Sequence, residues 1–259
     1  MQSSPVLRGR TALITGATGG IGLACAEALA AEGCDILLHG LEEHGPALAA
    51  DLAARFGIAC RYHVADLADP AAIEALAAAA GEPDILVNNA VTRHFAPVEA
   101  TSRADWDRDI AVNLSAAFHL ISLSLPAMRR RDWGRIVNMS SIYGRIGTRG
   151  RIGYVTTKTA LIGLTRGVAL ETAGTGITCN AICPGTTLTP NIAARIRAAA
   201  AASGRDEEAE ARHFLGPRQP TGRFVEASAI GAMVAFLCGP AGRDITGAEL
   251  PMDGGWSIA

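Results

Sequence analysis

Alternation of short apolar runs with helices of ten to fifteen residues predicts an α/β fold: a single-domain Rossmann arrangement with a doubly wound, seven-stranded parallel sheet and helices on both faces. Three observations carry this. The first apolar run, Thr11 to Thr15, leads into a glycine-rich turn (TGATGGIG) that opens an alanine-rich helix. The same strand-then-helix rhythm repeats to the end of the chain without a linker or a break in composition. Successive runs also close on polar or glycine residues, as strands do when their carboxyl ends face a ligand crevice.

The elements follow in order. A helix from Leu23 to Glu32 is closed by Gly33, the natural C-cap. Strand two is Ile36 to His39, with a helix from Glu43 to Phe56. Strand three is Cys60 to Val64, closing on Asp66 and Leu67, and a helix starts after Pro70. Strand four, Ile85 to Val87, ends in Asn88-Asn89-Ala90. A long helical segment from Arg103 to Arg130 is expected to bend at Asn113. Strand five, Arg135 to Met139, ends in Ser140-Ser141. The next helix carries Tyr154 and Lys158 and runs to Thr172. Strand six, Gly176 to Ile182, ends in Pro184-Gly185. Residues 186–220 read as a flap with short helices on either side of Gly204. A helix from Ala227 to Leu237 and a strand from Glu249 to Met252 finish the domain. Residues 10–185 thus form the dinucleotide-binding and catalytic core, 186–220 the flap, and 221–259 the closing helix and strand.

Composition narrows the function. A hydrophobic content of 49% over 259 residues supports a sizeable core, and a net charge of −2 gives no reason to expect nucleic acid or a membrane surface as partner. Arg129-Arg130-Arg131 reads as a helix C-terminus favoured by the dipole. The six cysteines show no CxxC spacing, so buried reduced thiols are expected, with neither disulfides nor a metal set. The first ten residues lack an apolar core and no run of eighteen apolar residues occurs, so a cytoplasmic location is expected.

The chemistry points to Tyr154 and Lys158. Lys158 is the only lysine in the chain, against 22 arginines. An ammonium is a compact charge with a tunable pKa, which a guanidinium is not. Four residues apart on a helix, the two side chains share one face. A cation about 4 Å from a phenol favours the phenolate by ~4 kcal/mol at an effective dielectric of about 20, which suits a general acid/base near neutral pH.

The loop TGATGGIG, the NNA after strand four, Asn113, Ser141, the YVTTK and the PG after strand six together resemble the classical short-chain dehydrogenase/reductase family over almost the whole chain. The resemblance implies catalytic roles for Asn113 (a water in the proton relay), Ser141 (the substrate carbonyl), Tyr154 (acid/base) and Lys158 (nicotinamide ribose and the phenol). Ser141 matches the family's serine thirteen residues before its tyrosine. It implies cofactor contacts from Gly16, Thr18, Gly19, Gly20, Ile21, Gly22, Gly40, Leu41, Asp66, Leu67, Asn89, Ala90, Tyr154, Lys158, Pro184, Gly185, Thr187 and Thr189. One departure is Val91, where the family's NNAG has glycine. The strand-two ending His39-Gly40-Leu41 is neither acidic nor clearly basic and Gly19 is uncharged, so NAD is expected over NADP.

The second half, LETAGTGITCNAICPG with the terminal DGGW, is similar to the D-3-hydroxybutyrate dehydrogenase branch of that family. Matching substrate positions are Arg93, Ser141, Tyr143, Arg151, Tyr154, Arg195 and Trp256. Arg93 and Arg195 replace glutamines, Tyr143 a histidine and Arg151 a lysine. A pocket with three guanidinium groups predicts a small anionic substrate: a hydroxy acid, or an alcohol or sugar bearing a sulfonate, phosphate or second carboxylate. The competing possibility has these arginines in solvent or paired with flap acids such as Glu207 and Glu208. Plain 3-hydroxybutyrate oxidation is the alternative, and a catalytically silent NAD-binding regulator is disfavoured by the intact Ser-Tyr-Lys set. The family tendency implies a homotetramer.

Overall fold

The computed structural model describes residues 5–259, and its centre is a seven-stranded, all-parallel sheet in the order β3-β2-β1-β4-β5-β6-β7. The strands are β1 Thr11–Ile14, β2 Asp35–Gly40, β3 Cys60–Val64, β4 Ile85–Asn88, β5 Gly134–Met139, β6 Ile177–Pro184 and β7 Glu249–Met252. Alternation sorts their side chains between two cores. Ile14, Ile36, Leu38, Ile85, Val87 and Val137 pack on one face, and Leu13, Leu37, Leu86 and Ile136 on the other. Strands buried on both faces in this way read as continuous apolar runs.

The first face is covered by α1 (Gly20–Ala31), α2 (Gly45–Phe56) and α9 (Ala227–Cys238), through Leu29, Leu52, Ile230, Val234 and Leu237. The second is covered by α3 (Pro70–Ala80), α5 (Ala116–Arg131) and α6 (Ile152–Glu171), through Ile73, Leu76, Leu120, Ile121 and Val168. The bend expected at Asn113 is a π turn, Ala111–Ser115, joining α4 (Arg103–Ile110) to α5. The continuous stretch Arg103–Arg131 is long and apolar enough to cross a membrane by composition. Its apolar residues Val112, Ala116, Leu120 and Met128 are instead buried in the second core. Arg129 to Arg131 do form the last turn of α5, and Arg130 and Arg131 pair with Glu82. Five of the six cysteines are buried, Cys60 is half-buried, and none is in a disulfide.

The flap consists of α7 (Pro190–Ser203) and α8 (Glu207–Leu215), with Gly204 between them in the left-handed conformation. Thr189 caps α7 by accepting from the Ile192 N–H. Val225 donates its N–H to the Thr186 carbonyl, and the Thr186 N–H donates to Gln219 Oε1 at 2.6 Å, so both ends of the flap are tied together. Because β1 and β4 are neighbours while the chain winds away on either side, the crevice opens at their carboxyl ends. The predicted endings of β4, β5 and β6 line a cavity there, through Asn89, Ser140, Ser141, Pro184 and Gly185.

Candidate active site

At the first strand ending, Gly16 has φ +63°, and a Cβ there would lie 2.8 Å from Ala90 Cα. A Cβ on Gly22 would collide with the Gly16 carbonyl and Asn89 Nδ2. Only glycine satisfies both the conformation and the approach. Helix α1 starts without a side-chain cap, and nothing lies within 4 Å of a Cβ placed on Gly19. Free amides of a helix N-terminus with open space above them fit a pyrophosphate. Supporting groups hold this loop. Thr15 Oγ1 accepts from the N–H groups of Asn89 and Ala90, at 2.9 and 3.0 Å. Asn89 Nδ2 donates to the carbonyls of Thr15 and Gly16, so its amide positions the loop. His39, which the sequence reading used only as a strand end, accepts from the Gly16 N–H through Nδ1 while Nε2 faces the Ala65 carbonyl at 2.8 Å. Burial pushes His39 below its ordinary pKa, which keeps it neutral and able to accept.

The end of β2 carries an acidic group after all. Glu42 folds back so that its carboxylate accepts from Thr18 Oγ1 at 2.7 Å and from the Leu41 N–H at 2.9 Å, beside Gly40. The Thr18 hydroxyl holds Glu42 below the usual carboxylate range. The sequence reading missed this because Glu42 lies beyond the strand. Two other expectations shift. Asp66 is held by Arg108 and caps the Ala68 N–H, which leaves fewer lone pairs for an adenine. Leu67 is buried in the second core, so its side chain serves packing and does not reach the cleft.

Of the four residues expected to be catalytic, the structure brings Ser141, Tyr154 and Lys158 to one cavity. Tyr154 and Lys158 lie one turn apart on α6 and both are buried, as are Ser141 at the end of β5 and Asn113 in the π turn. Ser141, Tyr154 and Lys158 line one cavity with Ile21, Asn89, Pro184, Gly185, Thr187 and Thr189. Asn113 stands behind it, accepting from the Thr92 N–H at 2.7 Å and donating to the Thr92 carbonyl and to Thr157 Oγ1. Ser140 is excluded from the chemistry because its hydroxyl donates to the Lys158 carbonyl at 2.8 Å. Val91 packs on the cluster of Ile142, Tyr143 and Tyr154 without disturbing the backbone hydrogen bonds of the NNA turn.

The Lys158 Nζ donates to the Met139 carbonyl at 2.6 Å and lies 5.7 Å from the Tyr154 ring centre. Burial, then repulsion from Arg93, lowers Lys158 from an ordinary 10.5 to about 7. The guanidinium of Arg93 stands 5.4 Å from the same ring. Two cations, one of them permanently charged, therefore face the phenol.

This has a consequence for stability. A lysine with a depressed folded pKa binds fewer protons in the folded than in the unfolded state between about 7 and 10.5. The penalty of burying its charge is complete below 7 and disappears as pH rises towards 10.5. Lys158→Met should therefore stabilise the protein without nucleotide at pH 6, by at most roughly 5 kcal/mol. The advantage should shrink towards zero by pH 10. Urea unfolding of both proteins across that range checks it, and parallel curves would contradict it.

The cavity, about 180 Å³, has an aromatic wall and a basic rim. Tyr143 meets Tyr154 and Trp256 edge-on, with ring centres 6.4 and 5.3 Å apart. Arg93, Arg151 and Arg195 all line it, joined by Arg218, which the sequence reading missed. Among the described residues no aspartate or glutamate lines the cavity, and none of these four arginines makes a salt bridge. Glu208 pairs with Arg212 instead. Arg151 lies against Phe95 and Tyr143, and Arg195 against Phe214. Arg218 could have been suspected from its place at the end of the flap, one residue before the Gln219 that ties the flap down.

Comparison with known proteins agrees with this geometry. A family model described as enoyl-(acyl carrier protein) reductase matches residues 16–257. The D-beta-hydroxybutyrate dehydrogenase of Cupriavidus necator is 43% identical over 255 residues, covering 97% of this chain and 99% of that protein. The chain belongs to the short-chain dehydrogenase/reductase family. A second D-beta-hydroxybutyrate dehydrogenase, from Rhizobium meliloti, is 37% identical over 96% of this chain and 98% of its own length. Among solved structures, L-sorbose reductase from Gluconobacter frateurii, complexed with NADPH and L-sorbose, superposes with a TM-score of 0.94 at 28% identity over 99% of each chain. By name these relatives are oxidoreductases of a hydroxy acid and of a sugar.

Proposed function

We propose that this short-chain dehydrogenase/reductase interconverts a secondary alcohol and a carbonyl on a small substrate carrying a strongly anionic group, with NAD as the nucleotide. The observation that carries the reading is a cavity rim of four arginines that, among the described residues, have neither a salt-bridge partner nor a facing carboxylate. Guanidinium forks match carboxylate, sulfonate and phosphate oxygens, and an anion relieves their mutual repulsion. In oxidation, Tyr154 Oη takes the alcohol proton, and in reduction it returns one. Ser141 holds the reacting oxygen, Lys158 and Arg93 favour the deprotonated phenol, and Asn113 supports proton exchange with water. The nicotinamide supplies the hydride acceptor when bound. Lys158 would hold its ribose, and Gly16 to Gly22 its pyrophosphate.

Glu42 supports NAD, since its carboxylate lies where a 2′-phosphate would be repelled. The L-sorbose reductase structure contains NADPH, so the preference rests on this chain's own Glu42. Identity of 43% to a D-beta-hydroxybutyrate dehydrogenase favours a second reading, oxidation of plain 3-hydroxybutyrate. A panel of hydroxy acids, sulfonates, phosphates and sugar acids assayed with NAD and NADP at constant ionic strength separates the two. The expected result is kcat/KM at least tenfold higher for a substrate with a sulfonate, phosphate or second carboxylate. Equal or better turnover of 3-hydroxybutyrate would favour the second reading. Glu42→Gln should raise kcat/KM with NADP several-fold while leaving NAD turnover within about threefold.

The reading includes a cytoplasmic homotetramer. Exposed Phe118 and Leu123 on α5 and Leu170 on α6 offer apolar surface for a second copy. Light scattering should return four times the 26.7 kDa chain.

A further inference from the structure

The opposite edge of the sheet holds a second basic cavity. It measures about 450 Å³ and lies where β1, β5 and β6 begin, lined by Arg10, Trp133, Arg135, Gly176, Cys238 and Arg243. Arg135 is the unusual member. It is 4% exposed, and among the described residues it has no carboxylate partner. Its Nη1 donates to the carbonyls of Gly134 and Gly176, both at 2.8 Å. Its Nε is shut away from water without an acceptor, and its Nη2 has none among the described residues.

The surroundings do not neutralise this charge. Trp133 faces two guanidiniums, with Arg10 3.9 Å and Arg135 4.5 Å from its ring. Arg10 is matched by Asp84 at 3.0 Å, and Arg243 by Asp244, the one acidic residue lining the cavity among the described residues. Asp84 is shared with Arg131 at 3.3 Å and the Arg243–Asp244 pair lies exposed to water, so neither guanidinium is fully matched, and Arg135 is not matched at all among the described residues. A buried guanidinium without a counter-charge is costly unless something compensates it. Two carbonyls and an indole compensate part, and desolvation still pulls Arg135 below its ordinary pKa. The cavity beside it is large enough for a small ion.

We propose that this cavity binds a small oxyanion, a phosphate or carboxylate group, on Arg135 with Arg10 and Arg243 as flanking charges. The site lies at the amino-terminal edge of the sheet, whereas the catalytic cavity lies at the carboxyl ends of the strands. The ligand therefore does not compete with substrate, and it stabilises the fold by binding only the folded state.

Inorganic phosphate is the probe, titrated calorimetrically against chloride at constant ionic strength. The variant Arg195→Gln/Arg218→Gln, with Arg93→Gln and Arg151→Gln added, removes all four guanidinium groups of the catalytic cavity, so its outcome is independent of the proposed substrate. In that background one phosphate site should remain, and phosphate should raise Tm by a few degrees. Adding Arg135→Gln should abolish both. If Arg135→Gln fails to fold, Arg243→Gln decides, with binding expected to weaken about tenfold through loss of one charge. Absence of phosphate binding in that fourfold background, or unchanged binding when Arg243→Gln is added, would overturn the site.

Discussion

Replacing Tyr154 by Phe should lower kcat by roughly 10³-fold or more, in line with the 10²–10⁴ that a positioned acid/base contributes. Binding of NADH should stay within about twofold. The expectation rests on what the hydroxyl does not do: among the described residues it makes no protein hydrogen bond, while the ring packs against Tyr143 and the cluster around Ile142. Phe keeps that packing, so Tm should change by no more than a degree or two. Single-turnover rates and fluorescence titration of NADH would measure the two effects separately. Turnover within tenfold of the wild type would remove Tyr154 from the acid/base role. A parallel loss of NADH binding would mean that the ring, not the proton, was the main contribution. Ser141→Ala should behave differently, because Ser141 Oγ also accepts from the Tyr143 N–H at 3.1 Å. Its loss disturbs the aromatic wall as well as the reacting oxygen, so KM should rise together with the fall in kcat.

How much of this was legible in the sequence depends on the range of the interaction. The central strands were legible because they are buried on both faces, so an apolar run such as Ile85-Leu86-Val87 admits little else. The glycine loop and the Tyr154-Lys158 pair were legible because local spacing fixes their geometry. The π turn was anticipated only as a bend, since one inserted residue in a helical ladder leaves no composition signal. Glu42 and Arg218 were missed because they lie outside the long elements, in the loop after β2 and in the short 3-10 turn Gly216–Arg218, where periodicity carries no signal. The charge state of Lys158 was missed for a different reason. Spacing gives neighbours on one face but not depth, and depth brings this ammonium to about 7.

The second large effect lies in the arginines. Arg195→Gln and Arg218→Gln each remove a guanidinium from the rim, and a charge-assisted hydrogen bond is worth about 1.5–3 kcal/mol, roughly 10- to 150-fold. For a substrate bearing a sulfonate, phosphate or second carboxylate, the double variant should lose on the order of 10²-fold or more in kcat/KM, chiefly through KM. For 3-hydroxybutyrate, whose single carboxylate has Arg93 and Arg151 still available, the loss should be less than about tenfold. The ratio of the two losses is the decisive quantity, because general damage to the flap would lower both alike. Stability offers an internal control. Removing like charges that have no acidic partner should leave Tm unchanged or raise it, whereas arginines that secure the flap would lower it. Arg93→Gln is a separate case, since Arg93 repels the Lys158 ammonium and stands 5.4 Å from the Tyr154 ring. It should raise the pKa of Lys158, moving the alkaline limb of any step that needs the ammonium upward, and it should weaken the support for a phenolate, moving the acidic limb upward as well. Both effects shift the pH profile of kcat upward for every substrate, anionic or not. A pH profile that does not move in Arg93→Gln would confine Arg93 to substrate binding, alongside Arg195 and Arg218.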